Sequence, residues 1–238
     1  MTRKINTYIP RSFRNLLLYT GVFCAALISL YLSMVLFATI PNQAIFGNMK
    51  SSVYYELPLD RYDIPENGSF QRVADNFADQ VWLGIAWDMG NGDPFLSVLD
   101  TDYYNGESFG TAVGLHHAVI LGHEANESYT RYWHGSAALL RFLHILTDIQ
   151  GSKLLGFIGL ILLIFNTLRL LFRNGHGDLG MCLAASLLAV QILQVRLSFE
   201  YLPCFLICFS LCPAFLKWEK KGDTPLAALS VVSGVMTA

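Results

Sequence analysis

Long apolar runs separated by short polar segments dominate the pattern of the chain. The first run covers residues 16–40 and carries no charged residue over its 25 positions. A helix rises about 1.5 Å per residue, so this run is long enough to cross the ~30 Å hydrocarbon core of a bilayer. It is also longer than the apolar segment of a typical cleaved signal peptide. We therefore predict an uncleaved membrane anchor.

Four further apolar runs follow a long polar block. Residues 154–172, 179–195 and 201–216 predict spans two, three and four. Residues 224–238 begin a fifth span of 15 residues, whereas crossing takes about 20. We expect either that the chain is a fragment or that its last helix is partial. The pattern predicts an all-α integral membrane protein with about five transmembrane helices and a large, partly helical outer loop between spans one and two.

The distribution of lysine and arginine predicts the orientation of these spans. Cytoplasmic loops of membrane proteins are enriched in both residues. Residues 1–15 carry four of them, while the hairpin between spans three and four has only Arg196. The segments after spans two and four are also basic, through Arg169, Arg173, Lys217, Lys220 and Lys221. We therefore expect a multi-pass protein of the cytoplasmic membrane, with a cytoplasmic N-terminus and residues 41–151 outside.

Composition supports a membrane protein and excludes several other classes. Hydrophobic residues make up 53% and charged residues 14%, against roughly 25% charged in soluble domains. A net charge of -2 gives no basic surface for nucleic acid. All five cysteines lie in apolar runs, so a disulfide-stapled outer domain is not expected. The polar block 41–151 holds 14 of the 18 acids and 5 of the 16 bases, which favours cations or cationic substrates.

One predicted helix of the outer block carries the first candidate site. Apolar residues recur every four positions over 70–87, which is typical of a helix. Asp75 and Asp79 would then share a face at i and i+4. Two carboxylates on one face could hold a divalent cation or act as a general base. The alternative is a solvated polar face opposite the apolar one.

A second helix is predicted directly before span two. Residues 136–149 are amphipathic, and Arg141, His144 and Asp148 form a narrow polar stripe. At 14 residues this segment is too short to cross a bilayer. We expect it to lie along the membrane surface or to form a half-buried helix leading into span two, with a break between the two helices at Gly151 and Ser152.

Three further groups are candidates for binding or chemistry. The Asp100–Thr–Asp102 sequence resembles acidic pairs that chelate metal–nucleotide complexes. Arg131, Trp133 and His134 combine a phosphate-binding fork with stacking faces, or they form an aromatic belt. The outer hairpin adds Arg196 and Glu200 at i and i+4. The outer histidines are a fourth candidate, for zinc, although their spacing matches no closed motif: His116, His117, His123 and His134.

Two segments resemble known membrane proteins. Residues 74–83 (ADNFADQVWL) and 129–135 (YTRYWHG) resemble a group of poorly characterised bacterial multispan membrane proteins. The layout is also similar to the GT-C class of integral-membrane glycosyltransferases, in which a large first outer loop carries acidic catalytic residues. That class has eight or more spans and acids close after span one, whereas the first acid after span one here is Glu56.

This resemblance implies an envelope glycosyltransferase that uses a polyprenyl-phosphate-linked sugar in polysaccharide or glycolipid assembly. Asp75 or Asp79 would be the general base or would hold a divalent cation, and Arg131 and His134 would face the lipid phosphate. The alternative is a non-enzymatic scaffold or a transporter component whose outer loop binds a partner. Few charges lie inside the predicted spans, which disfavours transport.

Overall fold

The computed structural model describes residues 11–60, 62–63, 74–106, 110–130, 134–218 and 223–237, and most of them are helical. The helices, in chain order, are α1 (Arg11–Ala38), α2 (Asn42–Glu56), α3 (Asn76–Asp88), α4 (Pro94–Ser97), α5 (Thr111–His116), α6 (Gly135–Leu143), α7 (Ile149–Arg173), α8 (Gly177–Ala189), α9 (Leu202–Trp218) and α10 (Asp223–Thr237). A π-helical turn, His117–Leu121, follows α5, and a 3₁₀ helix, Ile192–Leu197, precedes α9. Four two-residue strands form two antiparallel ladders, β1 (Tyr62–Asp63) with β2 (Ala74–Asp75) and β3 (Asp102–Tyr103) with β4 (Glu127–Ser128).

Two helices, α1 and α7, are long and apolar enough to cross a membrane. They contain 28 and 25 residues, which correspond to about 42 and 38 Å at the usual rise. Many of their large apolar side chains are exposed, as in Leu16, Leu36, Leu162 and Phe165. The fold is therefore mostly helical, and two of its helices fit a bilayer by length and composition.

Three shorter apolar helices, α8, α9 and α10, complete the bundle. They contain 13, 17 and 15 residues, fewer than the roughly 20 that cross a bilayer without local thinning. Helix α9 packs beside α7, where Leu202 and Leu206 lie over Gly156 and Gly159. The missing glycine side chains allow this close approach. Five spans remain a prediction from the apolar pattern.

The polar block folds against one end of this bundle. Helices α2, α3 and α6 share a core with the end of α1 and the start of α7. In α2, Ile45, Met49, Ser52 and Glu56 are all fully buried, at the spacing of one helix face. The short α4 docks on α1, where the Tyr31 hydroxyl donates a hydrogen bond to the Phe95 carbonyl at 2.8 Å.

Helix α3 begins later than the periodicity predicts. The predicted helix covers 70–87, of which residues 70–73 lie outside the described part of the chain. Asp75 belongs to β2 and caps α3, with its side chain accepting a hydrogen bond from the Ala78 N–H at 3.0 Å. The prediction that Asp75 and Asp79 share one helix face is therefore wrong, because capping places Asp75 before the first helical residue.

The segment before α7 also differs from the prediction. Helix α6 ends at Leu143, six residues before the predicted end, and the chain turns at residues 144–146. Helix α7 begins at Ile149, where the Asp148 side chain accepts a hydrogen bond from the Gly151 N–H at 3.0 Å. The predicted break at Gly151 and Ser152 is wrong, because this cap starts the helix upstream of both.

The polar stripe of the predicted surface helix faces the protein interior. Arg141 and His144 are fully buried, while Ile145 and Leu146 are 43% and 67% exposed. The Arg141 guanidinium donates to the Asn42 side chain, to the Ala86 carbonyl and to the Ile40 carbonyl. These bonds connect α6 to the end of α1, to the start of α2 and to α3.

Candidate functional site

Three ionisable side chains meet where α2, α3 and α7 converge. Lys153 Nζ lies 2.7 Å from Asp79 Oδ2 and 3.7 Å from Glu56 Oε1. The Glu56 and Asp79 side chains are fully buried, and the Lys153 side chain is 9% exposed. Buried ions are expensive unless they are paired, so this arrangement is a specific feature of the fold. We call Glu56, Asp79 and Lys153 the ionic cluster.

The segment before α9 fixes Asp79 within the ionic cluster. Asp79 Oδ1 accepts hydrogen bonds from the Phe199 N–H at 2.8 Å and from the Ser198 hydroxyl at 3.3 Å. The other carboxylate oxygen, Oδ2, faces Lys153. Asp79 therefore holds three elements together: α3, α7 and the segment that leads into α9.

Glu56 has weaker partners than Asp79. Its Oε2 atom lies 3.4 Å from the Gln80 side-chain amide, which donates to it. Burial raises the pKa of Glu56 from 4.5 to about 7, and Lys153 only partly offsets this effect. Burial also raises the pKa of Asp79, against the opposing effects of Lys153, Phe199 and Ser198.

A cavity of about 310 Å³ opens beside Lys153. Its lining residues come from the ends of α2 and the 3₁₀ helix and from the start of α7: Tyr55, Gln150, Lys153, Leu154, Arg196 and Leu197. The lining combines two cations with a phenol and an amide and includes no carboxylate. Cationic and neutral hydrogen-bond donors in one cavity suit an anion, above all a phosphate group.

An apolar surface runs down α7 from this cavity. Leu154 lines the cavity, and Ile158, Leu162 and Phe165 follow it at helical spacing. All four side chains are between 48% and 67% exposed. A ligand with a charged head and a hydrocarbon tail could therefore bind with the head in the cavity and the tail along α7.

The predicted site residues are only partly brought together. Asp79 belongs to the ionic cluster, whereas Asp75 is the half-buried cap of α3. Arg196 is exposed and lines the cavity. Glu200 is half-buried, and its pKa is raised first by burial and then by Asp75 and Asp79.

Arg196 and Glu200 do not share a helix. The 3₁₀ helix ends at Leu197, and Ser198 is extended, with φ -129° and ψ 137°. The two ion pairs found among the described residues both involve Lys153. The i, i+4 spacing of Arg196 and Glu200 therefore does not place their side chains on one helix face.

His134 does not line the cavity. Arg131 and Trp133 fall outside the described residues. His134 is 7% exposed and packs edge-on against Trp82 and Tyr129, with ring centroids 5.6 and 6.1 Å away. Burial lowers the pKa of His134, which favours a neutral ring in the core.

The acidic and histidine candidates for a metal are dispersed. Asp100 is exposed, and Asp102 pairs with Ser128 across β3 and β4. Among the described residues, no three His, Cys, Asp or Glu side chains are placed to hold a metal ion. The rings of His117 and His123 instead pack against each other at a tilt of 44°, with centroids 5.2 Å apart, next to Tyr104.

A serine, a histidine and an aspartate meet at the start of α7 without forming a catalytic triad. The Ser52 hydroxyl lies 2.9 Å from His144 Nε2, but His144 Nδ1 faces the Leu140 carbonyl at 2.8 Å. Asp148 instead accepts a hydrogen bond from Ser51 at 2.9 Å. Burial lowers the pKa of His144 to about 4, so the ring is neutral and ties α2 to α6.

The sequence analysis does not identify four residues of the ionic cluster and the cavity as site residues: Glu56, Lys153, Tyr55 and Gln150. A signal existed for Glu56, because it continues the buried α2 stripe of Ile45, Met49 and Ser52. Lys153 stands alone at the edge of a long apolar run, a position that marks intramembrane or interfacial function.

Comparison with protein-family models, curated proteins and solved structures finds no match to this chain. The geometry of the ionic cluster and its cavity is therefore the basis on which a function is inferred.

Proposed function

We propose that this chain is a multi-pass protein of the cytoplasmic membrane that acts at the outer face on a lipid-phosphate-linked sugar, in the manner of a GT-C glycosyltransferase. The observation that carries this proposal is the cavity in which Lys153 and Arg196 lie above the apolar surface of α7. A polyprenyl phosphate has the matching shape, with an anionic group at the end of a long apolar chain.

The positions of the helices support an outer location for the cavity. The cavity lies at the start of α7, and the basic residues Arg169 and Arg173 lie at its other end. Since positive residues favour the cytoplasmic side, the start of α7 would face outward. The N-terminus would be cytoplasmic, and residues 41–151 would be outside.

The two cations have a clear role in such a reaction. When a sugar leaves a polyprenyl phosphate, the bond between its anomeric carbon and the phosphate oxygen breaks, and negative charge collects on the phosphate. Fixed positive groups stabilise charge that develops in a transition state. In this proposal Lys153 and Arg196 bind the leaving phosphate, while Tyr55 and Gln150 orient it.

The carboxylates take different roles from those expected of a pair on one helix face. Asp79 is fully buried and absent from the cavity lining, so we assign it the positioning of Lys153. A base must come within about 3 Å of the acceptor hydroxyl. Asp75 is half-buried, so its side chain reaches the surface. It is our candidate for the general base or for a ligand of a divalent cation.

A transfer assay on the full chain in lipid nanodiscs tests this function. The donor is a polyprenyl-phosphate sugar, and the readout is release of polyprenyl phosphate. Arg196→Gln should lower the rate at least tenfold, because it removes a cation from the cavity. The matched control is Arg173→Gln, an exposed arginine at the other end of α7, which should keep the wild-type rate. Equal rates for both variants, or no transfer by the wild type with a range of donors, would contradict the proposal.

The second candidate function is a transporter component or a scaffold that binds a partner. Buried ionisable groups at the end of a membrane helix are typical of ion and proton pathways, and the ionic cluster is such a group. Uptake of a labelled lipid phosphate or a proton flux in proteoliposomes, without any transfer product, would favour this alternative.

A further inference from the structure

The ionic cluster contains one cation for two carboxyl groups. Lys153 is the ammonium, and Glu56 and Asp79 are both within 4 Å of it. With all three groups charged, the cluster would carry one net negative charge at a site where both carboxyl groups are fully buried. Burial of an uncompensated charge is costly, and a buried carboxyl group avoids this cost by keeping its proton.

The hydrogen bonds identify which carboxyl group keeps the proton. Asp79 faces three donors: Lys153 at 2.7 Å, the Phe199 N–H at 2.8 Å and the Ser198 hydroxyl at 3.3 Å. Among the described residues, Glu56 faces only Gln80 at 3.4 Å and Lys153 at 3.7 Å. Donors stabilise an ionised carboxylate, so Asp79 is the anion and Glu56 is the neutral acid.

We infer that Glu56 is a proton-binding site coupled to the cavity, and that it holds its proton when Lys153 binds an anion. This inference rests on the proposed function for the identity of the anion, a lipid phosphate. An anion at Lys153 adds negative charge next to Glu56 and stabilises the protonated acid. Ionised Glu56, in turn, competes with the ligand for the Lys153 ammonium. Above the Glu56 pKa of about 7, anion binding therefore takes up one proton from bulk water.

Other charged and titratable groups lie near Glu56, and two of them, Glu200 and His116, supply the controls. Helix α3 contributes Asp79, and α7 contributes Lys153. Arg196 lines the cavity, and Glu200 is close enough to Asp75 and Asp79 for both to raise its pKa. Tyr55 precedes Glu56, with its ring 5.9 Å from Lys153 Nζ. Ser52 lies one turn before Glu56 on α2 and contacts His144, and His116 on α5 contacts the Tyr54 ring.

Infrared titration of the full chain in nanodiscs tests the proton site without any ligand. A protonated carboxyl group has a C=O stretching band that disappears on ionisation. The wild type should show a band that is lost as the pH rises through about 7, and Glu56→Gln should lack it. Asp79→Asn should move its midpoint down by about one pH unit or more, because Lys153 then has a single carboxylate partner.

Glu200→Gln is the matched control for this titration, since burial raises the pKa of Glu200 as well. The band must persist in this variant. A band that is lost in Glu200→Gln and kept in Glu56→Gln would overturn the assignment, as would a wild type with no titrating band.

The pH dependence of headgroup binding tests the coupling. The probe is phosphatidylglycerol in a phosphatidylcholine background, because a phosphodiester keeps one negative charge throughout this range. Wild-type affinity should weaken by up to about tenfold per pH unit above the Glu56 pKa, the limit for one linked proton. Glu56→Gln should bind with no such dependence, and His116→Gln should keep it. Inorganic phosphate is the second probe and represents a free anion. Binding of inorganic phosphate without binding of phosphatidylglycerol would identify a soluble ligand.

These results separate the two proposals. A titrating Glu56 band without binding of phosphatidylglycerol would contradict the proposed function and the coupling but leave the proton site intact. Binding that is independent of pH in the wild type would overturn the coupling and leave the proposed function standing.

Discussion

Substitution of Asp75 and Asp79 gives the sharpest test of the ionic cluster. Asp75 and Asp79 are four residues apart, yet one caps a helix end and the other is buried against Lys153. Asp79→Ala removes an ion pair at 2.7 Å and the acceptor of the Phe199 N–H at 2.8 Å. Removing one partner of a buried ion pair costs about 3–5 kcal/mol, and we expect a loss of unfolding free energy in that range.

The isosteric change should have a smaller effect. Asp79→Asn keeps an acceptor for the Phe199 N–H, and Glu56 at 3.7 Å can ionise and take over Lys153. We therefore expect a loss of about 1–3 kcal/mol, below the cost of an orphaned buried charge. Asp75→Asn is the matched control, because asparagine caps a helix as well as aspartate does and the change should stay within about 0.5 kcal/mol.

Equilibrium unfolding in mixed micelles of detergent and dodecyl sulfate measures these differences for the full chain. Of the three variants, Asp75→Asn should be the most stable, Asp79→Asn the next and Asp79→Ala the least stable. If Asp79→Ala were as stable as Asp75→Ala, which loses only a cap worth about 1 kcal/mol, the ionic cluster would have no part in holding α3 against α7.

Four further predictions concern pH, packing and topology. Glu56 binds a proton more tightly in the folded chain, with its pKa raised from 4.5 to about 7, so its contribution to stability falls as the pH rises from 4.5 to 7. Glu56→Gln should therefore be more stable than the wild type above pH 7 by up to about 3 kcal/mol, and the two should converge in unfolding titrations near pH 4. Gly90→Ala should destabilise by about 1–3 kcal/mol because its Cβ would overlap the buried guanidinium of Arg141, whereas the Cβ of Gly92→Ala would lie 3.8 Å from Ser97 Cβ, so that variant should change little in the same assay. A spin label at Leu96, which is 65% exposed beside α1, should be reached by lipid-soluble oxygen, and quenching only by a water-soluble relaxant would contradict this. Reporter fusions after Gly90 and after Asn174 should report the outside and the inside respectively, and the reverse pair would invert the orientation.

The apolar pattern predicts the long helices well because a lipid-facing helix needs an unbroken apolar surface. The run at 16–40 corresponds to α1, and the run at 154–172 lies inside α7. The ends were harder to predict. Asp148 starts α7 five residues before the predicted span, since a cap depends on one side-chain hydrogen bond that leaves no trace in hydropathy.

The direction in which polar faces point could not be read from periodicity alone. A helix that lies along the membrane surface turns its polar face to water, and the predicted surface position of residues 136–149 implies this orientation for Arg141 and His144. Both residues are fully buried in the structure. When the apolar face of a helix lies outward, the polar face turns toward the interior, and periodicity is the same in both cases.

The candidate site required contacts that are distant in the sequence. The sequence makes Asp79 a candidate catalytic residue because it is an acid on a predicted helix. Its partner Lys153 and its neighbour Glu56, however, come from other helices. A single sequence gives no signal for such a meeting. The lone lysine at the edge of an apolar run and the buried stripe of α2 each indicate a buried polar residue, but neither identifies the other.

The ionic cluster also explains how the polar block is attached to the bundle. Leucine-rich helices in a bilayer gain little by burying apolar surface against each other, because lipid tails are equally apolar. Close contacts such as those of Gly156 and Gly159 with α9 hold α7 within the bundle. The contacts of α3 with α7 and with the segment before α9 depend instead on Lys153 and Asp79. Since these charges support both the packing and the cavity, ligands that draw Lys153 toward the cavity should loosen α3 unless Glu56 takes up a proton.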